Sequence, residues 1–150
     1  MKILFWIGDL AIAFVAGLHI YFMVLEMFLW TKPHGRNKSG YTPKEAQFTA
    51  VLAANQGLYN GFLAAGLIWC LIRDLVQVGL LGDPVQPGVG STFQIKVFFL
   101  LCVIVAGVYG AATVPSRKTA TVPNLTILYF QAAPAVVALI LVGVAWALWR

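Results

Sequence analysis

Charged residues are scarce in this sequence, and acidic residues are the scarcest. Of 150 residues, five are acidic and ten are lysine or arginine, so charged residues make up 10% of the chain. A soluble domain carries about 25% charged residues, because its surface has to interact with water. A chain that is 61% hydrophobic cannot cover itself in this way. The composition therefore excludes a soluble globular domain and indicates that lipid surrounds the protein.

Cysteine is nearly absent, and its placement excludes a disulfide framework. The two cysteines, Cys70 and Cys102, lie inside apolar runs and do not form a C-x-x-C pair. A thiol in apolar surroundings is inert, and no spacing typical of a zinc site occurs. We expect both thiols to be free, and we expect neither a bound metal nor a cofactor.

The excess of positive charge indicates lipid rather than nucleic acid as the partner. The formal net charge is +5, and a basic chain often binds nucleic acid. Here the cations lie at the ends of apolar runs, where they suit anionic lipid head groups. The expected partner is therefore the lipid bilayer, and no nucleic acid is expected.

Four apolar runs are long enough to cross a bilayer, which requires about 20 residues in helical form. They lack the alternation of barrel strands, and only helices or closed barrels span lipid. The sequence therefore predicts an all-α fold, an integral membrane antiparallel four-helix bundle in a single transmembrane domain over 1–150. The predicted helices cover approximately 3–30, 43–73, 92–114 and 123–149.

The cations also predict an orientation, because cytoplasmic loops carry an excess of lysine and arginine. Loops 1 and 3 hold six cations, and the opposite side holds four. This places both termini outside the cytoplasm, in a multi-pass protein of the bacterial inner membrane. The six cations are Lys32, Arg36, Lys38, Lys44, Arg117 and Lys118, and the four are Lys2, Arg73, Lys96 and Arg150.

One side of the first predicted helix collects its ionisable residues. Together with the apolar residues between them, they follow spacings of three and four, which place them on a single stripe of the helix. We expect this stripe to face the bundle interior. An ionisable side chain at membrane depth costs roughly 2.5–3.5 kcal/mol, so His19 and Glu26 imply partners, water or a function. Asp9 lies near the outer surface, and we expect it to be hydrated. The stripe consists of Asp9, Ile12, Ala16, His19, Met23, Glu26 and Trp30.

Polar residues of the other helices lie at depths similar to Glu26, in the half of the bundle nearest loops 1 and 3. Apart from Asp9 and Lys96, the other half is apolar. We therefore predict a small polar cavity that opens toward loop 1, with Glu26 and His19 as candidate catalytic residues. Gly107 and Gly110 permit close approach of the third helix. The candidate ligand-binding residues are Gln56, Asn60, Asn55, Tyr59, Tyr109, Gln131 and Trp30.

Several runs resemble the signature segments of a family of small four-span membrane proteins found mainly in bacteria and also in fungi. The runs are GLHIY at 17–21, LEMFLWTKP at 25–33, ANQGLYNGFLAAGL at 54–67, AGVYG at 106–110 and QAAPA at 131–135. The family is catalogued as a domain of unknown function, number thirteen-zero-four. The resemblance spans nearly the whole chain, and it implies a four-helix membrane fold but no activity.

Three functions remain open. In the first, the cavity binds a small or lipid-like molecule, and Glu26, assisted by His19, carries out proton transfer. In the second, the polar residues hold helices together in a non-catalytic assembly or stabilising subunit. In the third, the chain is a small proton-coupled transporter that acts as a homodimer, since four helices make a thin pathway. Whether the protein is an enzyme depends on which of the three holds.

Overall fold

The chain is built from membrane-spanning helices. The computed structural model describes residues 2–80, 92–114 and 123–149. Within these ranges, four helices are long and apolar enough to cross a membrane. Of the cations that predict the orientation, Arg117, Lys118 and Arg150 lie outside the described residues. The four spans cover Ile3–Leu29, Pro43–Gln77, Thr92–Thr113 and Leu125–Leu148.

Wide π-helical turns adjoin three of the helices. Such turns are rare and occur frequently at functional sites. Two of them contain the predicted site residues Glu26 and Gln131, and the third directly follows Asp74. In chain order the elements are α1 (Lys2–Val24), a π-helical segment (Leu25–Leu29), α2 (Pro33–Ser39), α3 (Pro43–Asp74), a π-helical segment (Leu75–Leu80), α4 (Thr92–Thr113), α5 (Leu125–Ile127), a π-helical segment (Leu128–Ala132) and α6 (Ala133–Trp149).

The connection between the first two spans is held by specific helix ends. Gly40 ends α2 with a φ of 68°, a left-handed conformation that glycine adopts without strain. Thr42 and Glu45 form a capping box at the start of α3. The Glu45 backbone N–H donates to Thr42 Oγ1 at 3.3 Å, and the Thr42 backbone N–H donates to Glu45 Oε2 at 2.7 Å. Pro43 occupies the first turn, where its missing N–H leaves no donor unpaired.

The four spans pack as a ring in which each helix contacts two neighbours. α1 packs against α3 and α6, and α4 packs against the same two helices. The protein is therefore a four-helix bundle, as the sequence predicts. A layer of fully or almost fully buried apolar side chains fills its centre. This apolar layer consists of Ile12, Val15, Ala16, Leu67, Leu100, Val103, Ala135, Ala138 and Val142.

Glycine allows close contact between α4 and the helical segment before α6. A Cβ atom built on Gly107 would lie 2.8 Å from the backbone nitrogen of Ala132. The predicted close approach therefore occurs at Gly107. At Gly110 the added atom would lie 3.4 Å from Ile127, which is an ordinary contact distance.

The outer surface of the bundle is covered by large apolar side chains. Phe48, Val51 and Ile3 are 88%, 81% and 77% exposed. A soluble monomer rarely presents contiguous apolar surface of this kind, whereas lipid tails match it. Both cysteines are free thiols, with Cys70 buried and Cys102 half-buried.

Candidate functional site

Glu26, in the π-helical segment that follows α1, forms a polar contact with Asn60 of α3 near the loop-1 end. Asn60 Nδ2 donates to Glu26 Oε2 at 2.8 Å, and both side chains are half-buried. Glycine on α3 brings the helices together here, because a Cβ on Gly57 would lie 3.1 Å from Glu26 Cβ and 2.6 Å from Met27 Cγ. The wide turn at Leu25–Leu29 and the small residue opposite it therefore position the carboxylate.

His19 is fully buried on the same side of α1, two turns before Glu26. Its Nδ1 lies 2.9 Å from the backbone oxygen of Val15. A carbonyl oxygen only accepts, so Nδ1 carries the proton and Nε2 presents a lone pair. This Nε2 is buried and has no partner in the described part of the chain. Seven residues at 1.5 Å each separate His19 from Glu26 by about 10 Å, too far for a direct hydrogen bond.

Two further predicted site residues lie near this end of the bundle. Trp30 is half-buried, donates from Nε1 to Thr49 Oγ1 at 2.9 Å and meets the ring of Tyr41 at 5.6 Å. Gln131 is half-buried in the π-helical segment that packs against α4 and approaches α1. Trp30 thus links the end of the first span to α3, while Gln131 lies in the segment between α5 and α6.

The remaining predicted ligand-binding residues lie on the outer faces of the helices. Asn55 and Gln56 are exposed on α3, and Tyr59 is 52% exposed there. Tyr109 on α4 is 70% exposed. The structure therefore does not bring these four side chains into one group with Glu26 and His19.

A second polar cluster lies at the other end of the bundle, and the sequence reading missed it. The Lys96 ammonium on α4 contacts Asp9 Oδ1 on α1 at 2.5 Å and also contacts Asp74 Oδ2 on α3. Thr92 Oγ1 donates to Asp74 Oδ1. The same ammonium lies 4.8 Å from the centre of the Phe5 ring. One cation thus joins three helices.

The burial of this ion cluster overturns one expectation. Asp9 was expected to be hydrated, but it is only 6% exposed, and Lys96 and Asp74 are 3% and 1% exposed. The Oδ2 atom of Asp9 has no hydrogen-bond partner among the described residues. The expectation fails because Lys96 of α4 and Asp74 at the end of α3 lie at the depth of Asp9 and form a buried ion cluster with it. Two carboxylates and one ammonium in the interior carry a net charge of −1 if all three are ionised.

The apolar layer separates the two polar regions. Ile12, Leu67, Leu100 and Val103 are each 0% exposed and lie between Asp9 and His19 in depth. The described ranges contain no group of three or more His, Cys, Asp or Glu side chains that could hold a metal ion. The bundle therefore has two polar regions with different chemistry. One contains the buried ion cluster of Asp9, Asp74 and Lys96, and the other contains the half-buried carboxylate of Glu26.

One comparison with known proteins gives a match. A family model described as "Protein of unknown function (DUF1304)" matches residues 13–143, which is most of the chain and includes both His19 and Glu26. No curated protein and no solved structure matches. The description names no activity, so the function rests on the chemistry of the chain's own residues.

Proposed function

The chain belongs to the DUF1304 family, and we propose that it binds a small amphiphilic molecule in the half of the bundle where α1 ends, with Glu26 as the polar anchor. One observation supports this most. A half-buried carboxylate and a buried imidazole with an unpartnered nitrogen lie on the same side of one helix. Groups of this kind are costly in a membrane interior unless they contact something polar.

The proposed ligand carries a hydroxyl or amine group at one end. Asn60 occupies Glu26 Oε2, and no described residue donates to the other carboxylate oxygen, which leaves an acceptor for such a group. His19 Nε2 is a second acceptor deeper in the bundle. Glu26 can also exchange a proton with a bound molecule, with His19 assisting, so acid–base chemistry follows if the ligand has a labile proton.

The surroundings of Glu26 suit the apolar body of such a ligand. Met23 and Met27 flank it, and they face Gly61 and Gly57, where added Cβ atoms would lie 2.8 Å from Met23 Sδ and 2.6 Å from Met27 Cγ. Methionine side chains are flexible and adapt to irregular apolar shapes. The glycines leave space for these side chains against α3, so the contact surface can adjust to the ligand.

The test is mass spectrometry of whatever copurifies with the wild type and with Glu26→Gln and Glu26→Leu. We expect both variants to fold and insert normally and to lose the bound molecule by about tenfold or more, the effect of one hydrogen bond to a charged group. Glu45→Gln is the matched control, because it removes the same charge while glutamine still completes the capping box. If both Glu26 variants keep the ligand, or if both unfold, Glu26 is a packing residue.

A second candidate function is a non-catalytic subunit of a larger membrane assembly. The exposure of Asn55 and Gln56 supports it, because an amide side chain facing lipid tails lacks the hydrogen bonds that water would offer. A partner helix covering α3 would supply them. In this case a protein partner copurifies in mild detergent, and Asn55→Leu releases it while leaving the Glu26 ligand unaffected.

The transporter alternative receives less support from the geometry. The apolar layer fills the centre of the bundle between the two polar regions, so a single chain in this conformation offers no continuous polar path. Export would therefore require a homodimer or a second conformation. For location, we propose the bacterial inner membrane with loops 1 and 3 in the cytoplasm, as the excess of cations indicates.

A further inference from the structure

Arg36, in the connection between the first two spans, has no counter-charge among the described residues. It lies in the middle of α2 and is half-buried, and its Nε is shielded from solvent without an acceptor in the described residues. α2 itself is fixed, because Gly35 is buried against the backbone of Leu29 and Trp30. The backbone that carries Arg36 is therefore held in place, and within the described ranges the guanidinium pairs with no carboxylate.

Neither of the two carboxylates at this end of the molecule pairs with Arg36 in the described structure. The chain has five acidic residues, and only Glu26 and Glu45 lie on the loop-1 side. Glu26 accepts from Asn60, and Glu45 accepts from Thr42 in the capping box. Loop 3, the other connection on this side, contains no acidic residue. Because no described carboxylate pairs with Arg36, we look for its partner among anions outside the chain.

The neighbourhood of α2 is basic and lies where a bilayer surface is expected. Lys32, Lys38 and Lys44 are exposed around Arg36. The rings of Trp30 and Tyr41, on either side of α2 in the chain, meet edge to face, and tryptophan and tyrosine concentrate at the level of lipid head groups. We therefore expect these cations at the depth of head-group phosphates.

We propose that α2 binds the phosphate of an anionic phospholipid head group in the leaflet on the loop-1 side, with Arg36 as its anchor. A guanidinium donates two parallel hydrogen bonds to a phosphate, and the lysines add a less directional attraction. A lipid is favoured over free phosphate because the bilayer holds head groups permanently at this depth. This site is independent of the Glu26 site proposed above.

Native mass spectrometry in detergent tests the proposal, with phosphatidylglycerol and phosphatidylcholine added at equal concentration. The wild type should retain phosphatidylglycerol preferentially. Arg36→Gln should weaken its binding by roughly 10- to 100-fold, the loss of charge-assisted hydrogen bonds. Arg36→Lys should lose most of the same affinity, because lysine keeps the charge but not the planar fork. Lys38→Gln, the matched control on the same helix, should lose about fivefold or less.

Three outcomes would overturn the site. Equal losses in Arg36→Gln and Lys38→Gln would mean a diffuse basic surface, and an unchanged Arg36→Lys would mean attraction by charge alone. Displacement of phosphatidylglycerol by millimolar inorganic phosphate would assign the site to free phosphate instead. Circular dichroism verifies that each variant is folded, and Arg36→Lys supplies the result if Arg36→Gln does not fold.

Discussion

Replacing Lys96 by methionine tests whether the ion cluster holds the bundle together. The ammonium of Lys96 contacts Asp9 on α1 and Asp74 on α3, and all three side chains are at least nine-tenths buried. Methionine has a similar length but no charge. The variant therefore leaves two carboxylates facing each other in a low-dielectric interior without a cation.

The expected loss in the free energy of unfolding is about 3–5 kcal/mol, the typical effect of removing one partner of a buried ion pair. Removing the entire cluster is a different perturbation. In the triple variant Lys96→Met, Asp9→Leu and Asp74→Leu, no charge remains to be desolvated, and replacement of a buried ion cluster by apolar residues of similar size is often nearly neutral. The triple variant should therefore regain most of the stability that Lys96→Met alone loses.

Titration with sodium dodecyl sulfate in detergent micelles, followed by tryptophan fluorescence, measures these differences. Lys38→Met is the control, because it removes an exposed cation and should change the free energy of unfolding by less than about 0.5 kcal/mol. The reasoning is refuted if Lys96→Met unfolds together with the wild type, or if the triple variant is less stable than Lys96→Met.

Two further predictions concern packing and orientation. Gly107→Ala should lower the free energy of unfolding by about 1–3 kcal/mol, because its Cβ meets the backbone of the facing helix. Gly143→Ala has open space around the new atom and should stay within about 0.5 kcal/mol in the same titration, so equal effects would contradict the packing argument. A cysteine at Asn37, in a background without Cys70 and Cys102, should react with an impermeant maleimide only after cells are permeabilised; labelling of intact cells would reverse the orientation.

Periodicity alone predicted the buried side of α1. Ile12, Ala16 and His19 are at most 1% exposed and Asp9 is 6% exposed, as expected for one stripe facing the interior. Glu26 and Trp30 at its end are only half-buried. Met23, which precedes the π-helical turn at Leu25–Leu29, is half-buried as well, so the exposure of the stripe rises toward the loop-1 end.

The ion cluster was not predictable from one helix at a time. Asp74 falls one residue beyond the helix predicted over 43–73 and was not among the predicted site residues. Lys96 and Asp9 were both noted as exceptions in an apolar half, but their pairing requires α1 and α4 to be near each other. The signal in the sequence was one lysine and two aspartates at matching depth, in or next to three predicted helices.

The outward position of some polar residues depends on packing that no single helix encodes. The polar residues of α3 occupy more than one side of the helix, and only its contacts with α1 and α4 decide which side is interior. Asn60 therefore meets Glu26, while Asn55 is exposed. Whether the exposed residues take part in binding stays a prediction.

The apolar layer makes the two ends of the molecule thermodynamically independent. Asp9 and Glu26 are 17 residues apart on one helix, or about 25 Å, and mutational effects usually add when sites are more than 7–10 Å apart. Substitutions that change the chemistry around Glu26 therefore leave the ion cluster intact, and the fold persists while they accumulate. If the proposed function holds, the binding properties of the Glu26 end can therefore change without loss of the ion cluster that joins the helices at the other end.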